Sequence, residues 1–315
     1  MCKVIAKTKD MPRDEWLKLR KNGIGGSDAG AICGLNPYVS AMDVYMNKTS
    51  EITEEEDNDN EAMRMGRDLE EYVAKRFSEA TGLKVRRSNN MYAHPKYSFM
   101  IADVDRLVVG QEDGIVGLEC KTASPYSIDK WKDGQVPAHY LAQCYHYMAV
   151  LGAKAWYIAV VIYGREFKFV KLERDEEIIE NLIQIEKDFW ENHVVPHILP
   201  QPDGSKAADD FINSYFKDSR EELSVPLLGF EEKLTRRGES AELMEKLETE
   251  KKQIEQQIKV YMKEAEFAVS ENFFVSWKQN ISNRLDTKRL KAEMPEVYKQ
   301  FCNQVTSRRF LVKTA

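Results

Sequence analysis

Apolar residues recur with different periods along the chain, and these periods predict where helices and strands lie. Over residues 61–81 an apolar residue stands at every fourth position, which predicts an amphipathic helix. These positions are Met65, Leu69, Val73 and Phe77. Residues 155–162 form one continuous apolar run, which is typical of a strand buried on both faces. The order of predicted elements indicates an α/β fold with a mixed central β-sheet flanked by helices.

Residues 99–109 and 115–121 are predicted to be the two strands of a β-hairpin. The intervening turn begins and ends with glycine and carries polar side chains, which suits a tight reversal. Side chains on a strand alternate between its faces, so Glu119 and Lys121 share one face. Pairing of the strands can then bring Asp105 close to both residues.

This grouping of two carboxylates and an ammonium has a chemical use. Hard divalent ions such as Mg²⁺ prefer carboxylate oxygens, and an ion so held polarises a phosphoryl oxygen and acidifies a bound water. A lysine beside it can orient or deprotonate that water and stabilise charge on the phosphate. An isolated Glu-x-Lys is also a common surface ion pair, so these residues alone leave both interpretations open.

Composition narrows the class of protein. The 315 residues are 43% hydrophobic and 31% charged, as in globular proteins, and allow one large domain plus an appendage. No run of about 18 apolar residues is present, so no membrane span is expected. The N-terminal apolar stretch is too short for a signal peptide. Five cysteines without a Cys-x-x-Cys spacing favour reduced thiols in a cytoplasm over a disulfide framework or a zinc site.

The net charge of −6 alone argues against a nucleic-acid partner, but the charge is unevenly distributed. Residues 1–230 hold 29 Lys and Arg against 38 Asp and Glu, whereas residues 231–315 hold 17 against 14. An acidic body is compatible with a DNA enzyme if its basic residues line one channel and its carboxylates gather metal. Residues 270–315, with nine basic against four acidic residues, could bind DNA, dock a partner protein or be a solvated face.

Proline and glycine mark a boundary within the chain. Pro202, Gly204 and Pro226 fall within residues 201–229, which are predicted to be a linker. A domain over residues 1–200 would precede it, and a separate C-terminal region would follow.

The C-terminal region, residues 230–315, is predicted to hold a long charged helix over 230–266. The sparse apolar stripe of this helix suggests a helical hairpin or a coiled-coil contact. Residues 267–277 and 305–313 alternate in the manner of two strands, with a helix between them.

Asp105 followed by Glu119-Cys120-Lys121 resembles the Asp…Glu-x-Lys core of the PD-(D/E)XK nuclease superfamily. Several blocks in order further resemble the YqaJ-type viral recombinase family, also called the lambda exonuclease family. These blocks are IGGSDA at 24–29, MGRDLE at 65–70, the Asp105 hairpin and YLAQCY at 140–145. The resemblance covers roughly residues 13 to 200 and implies a restriction-endonuclease-like core.

The resemblance implies roles for five residues of the predicted site. Glu70, Asp105 and Glu119 match residues that hold the metal, which is expected to be Mg²⁺ with Mn²⁺ as the alternative. Lys121 matches the residue that handles the attacking water. Gln143 matches one that helps order that water or the scissile phosphate. For Glu70, an ordinary exposed glutamate at a helix boundary is the alternative.

A second group of residues is implied to bind the 5′-phosphate end of DNA. Arg20 and Ser27 match residues that grip this phosphate. The glycines between them precede a helix, where free backbone N–H groups can hold a phosphate. The alternative is that the glycines only make a turn and Ser27 only caps a helix.

The sequence departs from the family pattern at two places. His94 stands where the lambda-type enzyme has a carboxylate, and a lone His before a Pro is more often structural than a ligand. Asp103-Val104-Asp105-Arg106 stands where the family often reads Ser-Pro-Asp-Gly. Asp103 is therefore an extra acid, which could be a second ligand or a charge partner for Arg106.

The resemblance implies a Mg²⁺-dependent exonuclease that digests linear duplex DNA from a 5′ end and leaves a 3′ single strand for recombination. It also implies a phage or prophage origin, the cytoplasm of a bacterial host, a single-strand annealing protein as partner and a ring-shaped homotrimer as one assembly. The alternatives are an endonuclease of the same superfamily and a non-catalytic DNA-binding or adaptor protein that kept the fold.

Overall fold

The chain divides into two compact units, Met1–Lys217 and Asp218–Ala315. A computed structural model describes residues 2–50, 61–303 and 305–313. The acidic stretch 51–60, whose composition predicts a solvated loop, lies outside the described residues.

The first unit contains both helices and strands. Its helices are α1 (Arg13–Lys21), α2 (Gly26–Ile32), α3 (Ala41–Thr49), α4 (Glu61–Thr81), α5 (Ala138–Leu151), α6 (Glu176–Phe189) and α7 (Lys206–Tyr215), with a 3₁₀ helix over Pro125–Gly134 and a π-helical turn over Trp190–Val194. Its strands are β1 (Lys3–Lys7), β2 (Val85–Arg87), β3 (Asn90–Ala93), β4 (Ile101–Asp103), β5 (Arg106–Val108), β6 (Val116–Ala123), β7 (Ala155–Ile162) and β8 (Glu166–Glu173).

The central sheet has five strands in the order β2-β5-β6-β7-β8. Strands β6 and β7 run parallel and the other neighbours antiparallel, so the predicted mixed sheet flanked by helices is confirmed. Strand β7 is paired on both sides over its whole length, which explains its continuous apolar sequence. A second sheet has the order β1-β3-β4.

Helix α4 packs on the central sheet with the apolar face that its sequence predicts. The residues in contact are Val73, Ala74 and Phe77 of α4, Leu118 of β6 and Ala159 of β7. Met65, near the start of the helix, is exposed, so the stripe is buried only in its second half. The packing brings Glu70, one turn before Val73, to the end of the sheet where β5 and β6 pair.

The predicted strand over residues 99–109 is broken in the structure, which corrects the simple hairpin. Its first part, β4, pairs in the second sheet, and its last part, β5, pairs with β6 in the central sheet. Continued register would place Asp105 opposite Glu119, but the chain leaves the ladder there. The Oδ2 atom of Asp105 accepts the backbone N–H of Cys120 at 2.8 Å. The side chain of Asp105 thus takes the place of a backbone carbonyl, and the pairing of β5 with β6 does not extend to Asp105.

The segment 201–229, predicted as a linker, contains a packed helix. Helix α7 buries Ala208 and Phe211 against Met42 of α3. The side chain of Ser205 accepts the backbone N–H of Ala208 at 3.1 Å and caps the helix directly after the prolines and glycine. The predicted domain limits stay a prediction.

The second unit contains a long helix and a small hairpin. Its elements are α8 (Glu231–Met262), β9 (Phe267–Val269), β10 (Phe274–Ser276), α9 (Thr287–Glu293) and α10 (Pro295–Gln300). The predicted strand over 305–313 is wrong, because this segment has no regular secondary structure and Phe310 stays exposed. Alternating apolar residues form a stable strand only where neighbouring strands pair with it. Among the described residues, no helix combines the length and the apolar character needed to cross a bilayer.

Replacing Gly117 with Ala is expected to destabilise the protein by about 1–3 kcal/mol, because the site has no room for a side chain. A Cβ atom at Gly117 would lie 2.3 Å from ring atoms of Trp156, which is fully buried. Chemical denaturation measures the change in the free energy of unfolding.

Gly66→Ala is the matched control. A Cβ atom there meets only Thr122 Oγ1 at 3.8 Å, and the residue lies within α4, so the variant should gain roughly 0.5–1 kcal/mol. A Gly117→Ala protein as stable as the wild type would contradict the tight contact with Trp156.

Candidate active site

Most of the residues singled out in the sequence line one cavity of about 370 Å³. They are Arg20, Ser27, Glu70, Asp105, Glu119 and Gln143. The cavity lies where α1, α2, α4 and α5 meet the short hairpin of β5 and β6. Lys121 reaches the same place through hydrogen bonds to two of these residues.

Glu119, Lys121 and Gln143 form a closed triangle of hydrogen bonds. Lys121 Nζ donates to Glu119 Oε1 at 2.7 Å and to Gln143 Oε1 at 3.0 Å. Gln143 Nε2 donates to Glu119 Oε1 at 2.7 Å and to the Tyr147 hydroxyl at 2.9 Å. Strand β6 presents Glu119 and Lys121 on one face, as alternation predicts, and α5 presents Gln143 and Tyr147 one turn apart. The triangle therefore joins a strand to a helix through buried polar groups.

Lys121 is an ammonium in this arrangement. Burial lowers its pKa, but the carboxylates of Glu119 and Asp105 raise the pKa by more, so that it ends above its ordinary value. The ammonium lies 4.6 Å from the centroid of the Tyr140 ring. A protonated lysine cannot accept a proton, so the geometry favours orientation of water and stabilisation of negative charge over proton abstraction.

Asp105 is a carboxylate whose charge is disfavoured by its surroundings. Burial raises the pKa of this carboxyl well above its usual range, and the Glu119 and Glu70 carboxylates raise it further. Lys121 and the hydrogen bond from the Cys120 N–H lower the pKa and only partly offset these effects. Asp105 therefore holds its proton to a higher pH than an ordinary aspartate.

One oxygen of Glu119 is buried without a hydrogen-bond donor. Oε1 accepts from Lys121 and Gln143, whereas Oε2 has no partner among the described residues. A buried carboxylate oxygen without a donor is costly. Together with the raised pKa of Asp105, it makes this pair of carboxylates suitable for a divalent cation, whose charge would offset both penalties.

Glu70 lines the same cavity but is bound to an arginine. The buried guanidinium of Arg106 forms an ion pair with Glu70 and a second one with Glu71, in which Nη2 lies 2.9 Å from Oε2. Within the described part of the chain, no three His, Cys, Asp or Glu side chains come together as a metal site. The structure thus brings Asp105 and Glu119 together with Glu70 in an ion pair beside them. The set of three metal ligands stays a prediction.

Sequence reasoning considered Arg106 only as a partner of Asp103 and missed its pairing with α4. Asp103 instead accepts the indole N–H of Trp16 at 2.6 Å. An arginine directly before the apolar run Leu107-Val108-Val109 is the signal that could have indicated a buried ion pair, since arginine is rarely buried unpaired.

His94 does not line this cavity. Its Nδ1 atom accepts the backbone N–H groups of Lys96 and Tyr97 at 3.2 Å and 3.0 Å. These bonds close a turn after β3, so the geometry supports a structural role for this residue.

Arg20 of α1 and Ser27 of α2 meet at the wall of the cavity. Arg20 Nη2 donates to Ser27 Oγ at 2.7 Å. Gly25 is the N-cap of α2, and its N–H is donated to Asp28 Oδ2 at 2.9 Å. Ser27 therefore lies inside the helix rather than at its cap, and its hydroxyl contacts the guanidinium instead. The glycines make the turn, as the alternative interpretation holds, and the turn places Ser27 beside Arg20.

A buried ion pair that sequence reasoning missed lies under these two residues. Lys48, almost fully buried, is 2.7 Å from Asp28 Oδ2 and also donates to the carbonyl oxygen of Arg20 at 3.0 Å. Burial raises the pKa of Asp28, but Lys48 and Arg20 lower it by more, and the pKa is below its ordinary value. Asp28 stays ionised, and its charge holds Lys48 against the end of α1.

The chain shows clear similarity to one family. Residues 15–154 match the YqaJ-like viral recombinase domain. The protein YqaJ of Bacillus subtilis strain 168, which carries the description uncharacterized, is 37% identical over 313 residues, or 98% of this chain and 97% of that protein. The chain belongs to this family of YqaJ-like viral recombinase proteins.

Two solved structures share weaker similarity. The alkaline exonuclease LHK-Exo of Laribacter hongkongensis is 20% identical, with a TM-score of 0.46, over 59% of this chain and 94% of that one. A phage-related exonuclease of Haemophilus somnus 129PT is 14% identical, with a TM-score of 0.43, over 57% of this chain and 99% of that one. Similarity at this level assigns no function to the chain.

Replacing Asp105 with Asn is expected to stabilise the protein in EDTA at pH 7 by about 1–3 kcal/mol. The amide oxygen can still accept the Cys120 N–H, while the desolvated charge beside Glu119 and Glu70 is removed. The pKa of Asp105 is higher in the folded protein than in the unfolded chain. The deficit of the wild type is therefore complete above the folded pKa, declines as the pH falls from the folded to the unfolded pKa, and is absent below the unfolded pKa.

Guanidinium denaturation at several pH values measures this difference. Asp14→Asn, on an exposed face of α1, is the control and should change the free energy of unfolding by less than about 0.5 kcal/mol. An Asp105→Asn protein that is less stable than the wild type at every pH would count against the electrostatic penalty.

Lys48→Met is expected to lower the free energy of unfolding by about 3 kcal/mol, because it removes the close partner of a buried carboxylate and leaves only Arg20, 3.8 Å from Asp28 Oδ1, to offset the charge. The double variant Lys48→Met with Asp28→Asn should recover most of this loss, since no unpaired charge remains and the amide oxygen still accepts the Gly25 N–H.

Lys75→Met breaks a solvent-exposed ion pair with Glu79 and should change stability by less than about 0.5 kcal/mol. Thermal and chemical denaturation of these variants provide the comparison. Equal stability of Lys48→Met and Lys75→Met would mean that the buried pair contributes nothing.

Proposed function

We propose that the protein is a divalent-metal-dependent deoxyribonuclease that digests linear duplex DNA from the 5′ end and leaves a 3′ single strand for recombination. The observation that carries this proposal is one cavity in which two carboxylates, the half-buried Asp105 and the buried Glu119, lie beside the ammonium of Lys121. Membership of a viral recombinase family supports DNA as the substrate.

Asp105 and Glu119 are the residues that would hold the metal, with Glu70 as the third ligand in the proposal. Oxygen ligands suit Mg²⁺, and Mn²⁺ accepts the same set. The bound ion would supply a polarised phosphoryl oxygen and a more acidic water. The unsatisfied Oε2 of Glu119 and the raised pKa of Asp105 support this assignment.

Lys121 and Gln143 act on the reacting phosphate through groups that are already in place. The Lys121 ammonium is held by Glu119 and Gln143, so it can stabilise the negative charge that develops on the phosphate without reorganisation. The Gln143 amide is fixed by Glu119 and Tyr147 and can order a water or a phosphate oxygen.

Arg20 and Ser27 give the site its preference for a 5′ end in this proposal. The guanidinium and the hydroxyl lie together in the same cavity as the two carboxylates. A terminal phosphate bound by charge-assisted hydrogen bonds there would place the adjacent nucleotides over the acidic side of the cavity. This arrangement favours cleavage at ends over cleavage within a chain.

An endonuclease of the same superfamily would use the same carboxylates and lysine, and a non-catalytic DNA-binding or adaptor protein would use neither. The ring-shaped homotrimer, the single-strand annealing partner and the cytoplasm of a bacterial host stay predictions.

A time course on 5′-phosphorylated linear duplex DNA and on closed circular DNA, each with Mg²⁺ or with EDTA, tests the proposal. We expect loss of the linear DNA only, and only with Mg²⁺. Slower digestion of a 5′-hydroxyl duplex would support the roles of Arg20 and Ser27. Loss of both linear and circular DNA would support an endonuclease instead. If neither DNA were cleaved, the non-catalytic DNA-binding or adaptor protein would be the remaining interpretation.

Glu119→Gln and Lys121→Met should each slow the hydrolysis of linear DNA by at least about 100-fold, because the first removes a carboxylate that would hold the metal and the second removes the charge that stabilises the phosphate. Lys171→Met is the matched control, since Lys171 forms a similar ion pair with Glu173 at 2.7 Å on the surface of β8. Circular dichroism checks that each variant is folded. Wild-type rates for Glu119→Gln and Lys121→Met would exclude this cavity as the active site.

A further inference from the structure

A second cleft lies directly beyond Lys121, at the end of β6. One wall is formed by residues 122–124 and the 3₁₀ helix Pro125–Gly134, and another by Pro137, His139 and Tyr140 at the start of α5. The cleft has a volume of about 350 Å³. Because β6 carries both Glu119 and Lys121, the cleft continues the active site along the same strand.

The cleft contains aromatic residues that are exposed to solvent instead of being packed in the core. Tyr126 is 97% exposed and Tyr38, from the connection between α2 and α3, is 75% exposed. In contrast, Trp131 is buried and Tyr140 is half-buried, with their ring centroids 5.9 Å apart, so these two form the packed floor. An exposed tyrosine ring beside a packed aromatic floor is available for a flat ligand.

The charge of the cleft favours an anionic ligand. Lys130 lines it, Lys121 Nζ lies 4.6 Å from the centroid of the Tyr140 ring that forms part of its floor, and no carboxylate of the described chain is among the residues that line it. Burial lowers the pKa of His139 to about 4, with Lys121 and Lys130 acting in the same direction. His139 is therefore neutral at physiological pH, and the two lysines supply the positive charge.

Aromatic faces next to lysines are the combination that single-stranded nucleic acid requires. Bases stack on aromatic rings irrespective of sequence, while basic side chains follow the backbone. A peptide could also pack on tyrosines, but the continuity with Lys121, which acts on a phosphate in the proposed function, favours a nucleotide chain. Tyr38 and Tyr126 are both exposed to solvent, as stacking requires.

We propose that this cleft binds the bases of unpaired DNA next to the cleaved phosphodiester, with Tyr126 and Tyr38 as stacking platforms. The inference rests on the proposed function, because it takes Lys121 as the neighbour of the reacting phosphate. It adds a binding site for single-stranded DNA to the cavity that holds the reacting groups.

Fluorescence anisotropy of a short labelled single-stranded oligonucleotide with the full chain in EDTA tests the proposal. Tyr126→Ala should weaken binding about tenfold, whereas Tyr126→Phe, which keeps the ring, should bind as the wild type does. Tyr215→Ala, which removes a half-exposed tyrosine of α7 outside the cleft, is the control and should leave the affinity unchanged.

An oligonucleotide with one abasic position, moved along the strand, identifies the stacked base. For the wild type, one abasic position should lower the affinity by about the same factor as Tyr126→Ala. For Tyr126→Ala, the same abasic position should cause no further loss, because the base and the ring then belong to one interaction.

Equal affinity of Tyr126→Ala and wild type, or equal loss in Tyr126→Ala and Tyr126→Phe, would overturn stacking at this cleft. Additive losses from the abasic position and Tyr126→Ala would overturn it as well. These outcomes are separate from the proposed function, since binding is measured without hydrolysis. If the protein hydrolyses DNA but its binding is insensitive to Tyr126→Ala, only the proposed stacking in the cleft is contradicted. If binding depends on Tyr126 but no hydrolysis occurs, only the proposed nuclease activity is contradicted.

Discussion

The desolvation of two carboxylates, the buried Glu119 and the half-buried Asp105, at the junction of β5, β6 and α5 is the constraint on which the rest of the first unit depends. Asp105 and Glu119 cannot be desolvated together unless neighbours compensate, and the neighbours come from several elements. The Cys120 N–H donates a hydrogen bond to Asp105, while Lys121 and Gln143 donate hydrogen bonds to Glu119. The compensation is incomplete, since one oxygen of Glu119 has no partner among the described residues. This kind of unresolved electrostatic cost is typical of functional sites.

Features of the site that are local in sequence could be predicted, and features that join distant segments could not. Glu119 and Lys121 share a face because they are two residues apart on one strand, and no knowledge of the fold is needed for that. Arg106 and Glu70 are 36 positions apart, and their ion pair depends on how α4 packs on the sheet. The placement of Gln143 was expected from family resemblance alone, because its helix carries no signal that distinguishes it from an exposed glutamine.

The strands and the buried Lys48–Asp28 ion pair show the same difference between features that are local in sequence and features that join distant segments. The apolar run of β7 predicts its burial on both faces, because each of its residues carries that signal. The break after β4 has no such signal, since it depends on the side chain of Asp105 replacing a backbone acceptor across the sheet. Lys48 and Asp28 lie on separate helices, and a lysine in a short helix is ordinarily exposed. Lys48 is buried because α2 and α3 pack together. The pattern of apolar and polar residues along the chain does not predict this packing.

The close approach of Gly117 to Trp156 also has a spectroscopic consequence. The indole of Trp156 is fully buried, its N–H has no hydrogen-bond partner among the described residues, and its ring lies 5.2 Å from that of Tyr147. An indole in such a dry environment emits at short wavelength and does not respond to quenchers dissolved in water. Because Tyr147 is bonded to Gln143, the emission of Trp156 would report on the packing beneath the hydrogen-bond triangle from within the protein.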